Sequence, residues 1–146
     1  MRGLGDDMEE LFVYALLYVT GYEEIDEYCR VLDRLFLNDP ENEELLDLEW
    51  MDDKDAMFHL FYLMQTEPMN YDKFGTFLMN KLDLIYRKSK IDDFVEKMYR
   101  LWKNMPDTVS REEPFYTFCY ADDCLYCGDE QQCRELCEKT LNYYKN

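Results

Sequence analysis

Basic residues are scarce in this chain: 16 Lys and Arg stand against 33 Asp and Glu, a formal net charge of −17 over 146 residues. Such a balance is repelled by nucleic-acid phosphate and by anionic lipid, whose recognition rests on clustered Lys and Arg. Histidine is nearly absent. His59 is the only one, which excludes two-histidine metal motifs and duplicated Glu-x-x-His di-iron sets, and any Ser or Cys triad would have to recruit it. The sequence also lacks a Gly-x-Ser-x-Gly elbow, a Gly-rich phosphate loop and a dinucleotide fingerprint. No apolar run approaches the roughly 18 residues of a membrane span. The best candidate, residues 11–19, lies behind Asp6, Asp7, Glu9 and Glu10, where a signal peptide would carry basic residues. These absences point to a cytoplasmic protein whose cysteines stay reduced unless a metal takes them. They also favour a binding protein over an enzyme.

Glycine and proline are few as well, five and four, so little interrupts the helical spacing of apolar residues, and strands find almost no support. What is abundant is apolar and aromatic: 47% hydrophobic residues, with 13 Tyr and 9 Phe, exclude intrinsic disorder despite the charge. A single all-helical domain over residues 1–146 is expected.

The spacing predicts about eight short helices. The first covers 7–20, with Asp7 and Glu10 as a capping pair and Gly21 ending it; the second covers 23–37. Asn38-Asp39-Pro40 offers a stop, an N-cap and a proline for a third over 40–50. Asp52 and Asp53 cap a fourth that ends near Thr66, ahead of Pro68. Asn70 or Asp72 opens a fifth, and Ser89 with Asp92 caps a sixth that stops before Pro106. Ser110 with Glu113 reads as a capping box for a seventh running to Cys127; Gly128 terminates it, and Asp129 caps an eighth reaching Tyr144.

The even-numbered helices share one register. Ile25, Cys29 and Leu32 correspond to Ala56, Leu60 and Leu63, then to Phe94, Met98 and Leu101, then to Cys133, Cys137 and Thr140, each set spaced four then three. In the middle two units Pro68 or Pro106 follows five residues after the third member. At the C-terminal end Tyr120, Ala121 and Cys124 precede the Gly128-Asp129 turn, and Tyr22-Glu23-Glu24-Ile25 leads into the second helix. On these residues the chain resembles the tetratricopeptide family of helix-turn-helix repeats, most closely over residues 115–145. The resemblance implies antiparallel helix pairs and a concave protein-binding surface. Phe94 and Leu101 are bulky where that family carries small residues, and the units lie 31, 38 and 39 residues apart. A compact helical bundle obeying the same packing rules therefore stands beside the superhelical stack.

Five of the six cysteines, Cys119, Cys124, Cys127, Cys133 and Cys137, fall in the last third of the chain. Their core-facing helical spacing is that of buried thiols. The alternative is a zinc-stabilised or redox-active domain, with Cys124-x2-Cys127 and Cys133-x3-Cys137 closing on zinc across the hairpin. A third reading, an unrecognised hydrolase, draws an acid/base pair from the many carboxylates.

Charge is distributed unevenly. Residues 1–55 hold 18 acids and 4 bases, a net of −14, against 15 acids and 12 bases in the remainder, a net of −3. Residues 39–55 alone carry nine carboxylates and only Lys54, whereas 81–103 carry seven bases and four acids. The leading expectation is an acidic helical protein-protein interaction module, of inhibitor or immunity type, that meets a basic protein or peptide with Glu41, Glu43, Glu44, Asp47, Asp52 and Asp53. No catalytic residue, cofactor, nucleic acid or membrane enters this reading.

Overall fold

A computed structural model describes residues 8–127 and 129–145 and is all-helical, as the sequence predicts, with no strand among the described residues. The α-helices are α1 (Met8–Thr20), α2 (Ile25–Asn38), α3 (Glu43–Trp50), α4 (Asp53–Thr66), α5 (Tyr71–Tyr86), α6 (Ile91–Asn104), α7 (Asp107–Ser110), α8 (Ala121–Tyr126) and α9 (Glu130–Leu141), with a 3-10 turn at Phe115–Cys119. Among the described residues no helix is long and apolar enough to cross a membrane. The chain divides into two compact units, Met1–Asn70 and Tyr71–Asn146.

In the first unit α1 packs on α2 and α4, and α2 packs on α3. Helix α1 is buried on nearly every side, with Leu11, Phe12, Val13, Ala15, Leu16 and Leu17 fully covered, as expected of a helix that is apolar all round. Gly21 ends it at φ 90°, a left-handed conformation that costs glycine little, and Tyr22 N–H then reaches back to Leu17 O at 2.9 Å. The Arg34 guanidinium ties α2 to Glu10 on α1 at 2.5 Å. Glu9, itself buried, accepts the Asn70 backbone N–H at 3.2 Å and so fastens the end of the unit.

The second unit gathers α5, α6, α8, α9 and the 3-10 turn around Phe74, Leu78, Leu82, Phe94, Met98 and Phe118. Phe74 meets Phe115 at 5.9 Å between ring centroids, and Phe115 meets Phe118 at 6.3 Å, edge to face. The two buried threonines share a hydrogen bond, Thr117 to Thr140 at 3.0 Å, which answers the polar cost of their burial.

Several boundaries differ from expectation: α2 starts at Ile25 and not at Glu23, α9 ends at Leu141 and not at Tyr144, and three others have a local cause. Helix α3 starts at Glu43 and not at Pro40: Asp39 closes α2, its N–H bonding Leu35 O and Phe36 O, and Asn42 caps α3. Ser89 does not cap α6; its hydroxyl donates to Ile85 O at 2.7 Å, serving the end of α5, and α6 follows Lys90 without a side-chain cap. The expected seventh helix is broken into α7, the 3-10 turn and α8. With Ser110 as N-cap, Pro114 would stand where the first intrahelical N–H is needed, and it disfavours helical geometry at Glu113. The expected roles of Asp7 and Gly128 lie outside the described residues. Of the four-three register, Ile25 and Cys29 are half-buried and the other ten residues are buried, as on any helix packed along one face.

Candidate interaction surface

Helices α3 and α4 follow one another across the short link Met51-Asp52 as a helix-turn-helix hairpin, and each opens on a side-chain cap. The Asn42 side-chain oxygen accepts from Glu44 N at 3.0 Å and Leu45 N at 3.3 Å, and Asp52 Oδ1 accepts from Asp55 N at 2.8 Å. Burial of Leu45 and Leu48 sets the roll of α3 and leaves Glu43, Leu46, Asp47, Glu49 and Trp50 in solvent. On α4, Ala56, Leu60 and Leu63 face the core. Phe58 stands two residues from Ala56 and from Leu60, about 200° around the helix, so it and Tyr62 point outward. His59 Nε2 lies against Glu44 Oε1, which draws the two helices together.

The six carboxylates singled out from sequence are all on this hairpin or its entry. Glu41, Glu43, Asp47, Asp52 and Asp53 are exposed, and Glu44 is half-buried against His59. Part of the acidity has a local cause. Glu43 and Glu44 occupy the first turn of α3, and Asp53 and Asp55 that of α4, where negative charge complements the helix dipole. Asp47 and Glu49 lie beyond that turn, where the dipole no longer favours them.

Glu49 was not among the residues expected to matter. Although the residue is largely exposed, its carboxyl is pushed up to about 7 by partial desolvation and then by a hydrogen bond and charge repulsion from Asp33 on α2. Burial, followed by the charges of Cys29, Glu49 and Asp53, raises the Tyr28 phenol, and its hydroxyl is buried without a hydrogen-bond partner among the described residues. Burial and then Asp53, Asp33, Asp26 and Glu49 raise the Cys29 thiol. The negative field of 39–55 thus extends onto α2.

Sequence reasoning also missed the exposed aromatics. Trp50 is 83% exposed, Phe58 79%, Tyr62 59% and Leu46 39%. The signal was present for α4: once Ala56, Leu60 and Leu63 are taken as the buried row, Phe58 and Tyr62 must project from the opposite face.

The cysteines are free thiols. Cys133 and Cys137 are buried on α9, with Cys133 Sγ 3.5 Å from Ala121 O and Cys137 Sγ 3.9 Å from Met98 Sδ. Burial, and next the neighbouring Cys133, pushes the Cys137 thiol up to about 12; burial likewise raises Cys133. Such surroundings hold the protonated thiol, whereas metal ligation needs the thiolate. Cys124 is half-buried and Cys127 exposed, and among the described residues no group of three or more His, Cys, Asp or Glu is placed to hold a metal ion. The alternative zinc set of Cys124, Cys127, Cys133 and Cys137 is therefore not brought together.

The basic stretch of the second unit is partly engaged within it. Arg87 pairs with Asp83 at 3.0 Å, Arg100 with Glu96 at 2.7 Å, and Lys103 lies over the Tyr99 ring at 5.5 Å. The acidic hairpin has one basic residue among nine acids in 39–55. No family model, curated protein or solved structure matches this chain.

Proposed function

We propose that this chain is a protein-interaction module that binds a basic protein or peptide through the acidic α3–α4 hairpin, in the manner of an inhibitor or immunity protein. The observation that carries the reading is the exposure of Glu41, Glu43, Asp47, Asp52 and Asp53 on one hairpin with Lys54 as the only base between residues 39 and 55. Charge of one sign gathered at one place steers an oppositely charged partner and fixes its orientation more than it adds affinity. The raised Glu49 carboxyl supports the same reading, since a cation arriving beside the Asp33–Glu49 pair would relieve their repulsion.

The test is capture of a basic partner by the full chain, followed by a measured affinity at low and high salt. Screening shortens the reach of exposed charges to about 8 Å at physiological ionic strength, so affinity should fall steeply as salt rises. Charge reversal at Glu41, Glu43, Glu44 and Asp47 should weaken binding as well. An affinity indifferent to both salt and charge reversal would refute this function.

A further inference from the structure

Four large apolar side chains stand in solvent on the α3–α4 hairpin, and they come as two pairs spaced four residues apart, Leu46 with Trp50 and Phe58 with Tyr62. Residues at that spacing are neighbours on a helix surface, about 6 Å apart. Exposed aromatics grouped on one supersecondary unit suit a contact surface, because Trp and Tyr are enriched among the few residues that dominate binding energy where proteins meet.

The two helices differ in what surrounds these side chains. Around Leu46 and Trp50, residues 39–55 carry nine carboxylates; around Phe58 and Tyr62, residues 56–66 carry no Asp, Glu, Lys or Arg. Helix α3 is acidic with apolar side chains set in it, whereas α4, beyond Asp53, Lys54 and Asp55 in its first turn, carries no Asp, Glu, Lys or Arg. A complementary occupant needs positive charge along one side and apolar residues along the other.

That requirement discriminates among occupants. A second copy meeting it through the same two helices would offer a single base, Lys54, to the nine carboxylates. An anionic membrane is repelled by the same charges. An extended polybasic chain would satisfy α3 and leave Phe58 and Tyr62 in water. An amphipathic helix with Lys or Arg on one face and apolar residues at i, i+3/i+4 and i+7 on the other satisfies both.

We infer that the α3–α4 hairpin docks an amphipathic basic helix of a partner protein, with its basic row over the carboxylates of α3 and its apolar row on Phe58 and Tyr62. The inference rests on the interaction-surface reading above and adds to it the conformation of the partner and its apolar anchors.

The probes are three synthetic peptides of about five helical turns: an amphipathic Leu/Lys helix, a shuffled peptide of the same composition without an apolar row, and oligo-lysine. Each is titrated into the full chain by calorimetry. The amphipathic peptide should bind at least about tenfold tighter than the other two, and Phe58→Ser with Tyr62→Ser should abolish that advantage while leaving oligo-lysine binding unchanged. Glu43→Lys with Asp47→Lys should weaken all three peptides. All four positions are exposed, and circular dichroism checks that each variant keeps its helix content. Equal binding of the amphipathic peptide and oligo-lysine, both insensitive to the Phe58 and Tyr62 changes, would overturn the inference while leaving the acidic-surface function standing. Absence of binding by the amphipathic peptide would overturn it too, and the salt dependence of the captured partner would then decide the function separately. A dimer of the full chain that Phe58→Ser disperses would overturn it in favour of a second copy.

Discussion

Replacing Gly75 by Ala should produce an effect whose sign depends on a residue near the other end of the second unit. Gly75 is buried in the second turn of α5, and a Cβ built there would overlap the hydroxyl, Cζ and Cε2 of Tyr144. Alanine in a helix interior is favoured over glycine by about 1 kcal/mol. Forcing a methyl into an occupied site costs about 1–3 kcal/mol. Gly75→Ala alone should therefore be neutral to destabilising by about 2 kcal/mol, the Tyr144 ring being pushed out of its seat. With Tyr144→Ala in place the notch is empty, and the same change should stabilise by about 1 kcal/mol. The coupling between the two positions is then about 1–3 kcal/mol, well above the ~0.5 kcal/mol scatter of independent sites. Urea unfolding of the wild type, both single variants and the double variant measures it. Lys145 Nζ remains bound to Asp83 Oδ2 at 3.0 Å, so the C-terminal segment keeps a second tie to α5 in every variant. Additive effects, with Gly75→Ala stabilising equally in both backgrounds, would refute the close approach.

Four further outcomes follow from individual side chains. Because the Glu49 carboxyl is raised from 4.5 to about 7, the folded chain holds a proton that the unfolded chain has released across that window, so stability should decline as pH rises from about 4.5 to 7. Glu49→Gln should flatten this part of the profile in urea unfolding, and identical profiles for both proteins would count against the Asp33–Glu49 pair. In native protein an aromatic disulfide reagent should label exposed Cys127 quickly and leave Cys133 and Cys137 unmodified until urea is added. Cys133→Ala should cost about 1–2 kcal/mol as a small core truncation and show no dependence on chelators. Asn42→Ala should cost about 1 kcal/mol and Asn42→Asp much less, because only the first removes the oxygen that accepts from Glu44 N and Leu45 N.

The all-helical class was legible because each buried row repeats at three and four residues and so few glycines and prolines interrupt it. Local signals with one possible partner were legible too. Gly21 takes the left-handed turn, and Asp52 and Asp129 cap the helices that follow them, as their sequence neighbours predict. Ser89 and Ser110 were misread because a hydroxyl can serve the helix behind it as well as the one ahead. Ser89 bonds Ile85 O, Ser110 Oγ bonds Asp107 O, and Pro114 denies the segment after Ser110 its first helical bond.

By itself, the sequence determined the all-helical class, the acidity of residues 39–55 and the thiol register of α9, since these depend on composition and on spacing along a single helix. Tertiary structure alone decided which apolar side chains stay in water. The burial of Leu45 and Leu48 sets the roll of α3 and leaves Leu46 and Trp50 outside. It also decided that Glu49 meets Asp33, residues sixteen apart on different helices, and that Tyr144 occupies the notch above Gly75. Helical periodicity states which residues share a face. Which face is covered, and by what, depends on the neighbouring helix, and no spacing within one segment encodes that choice.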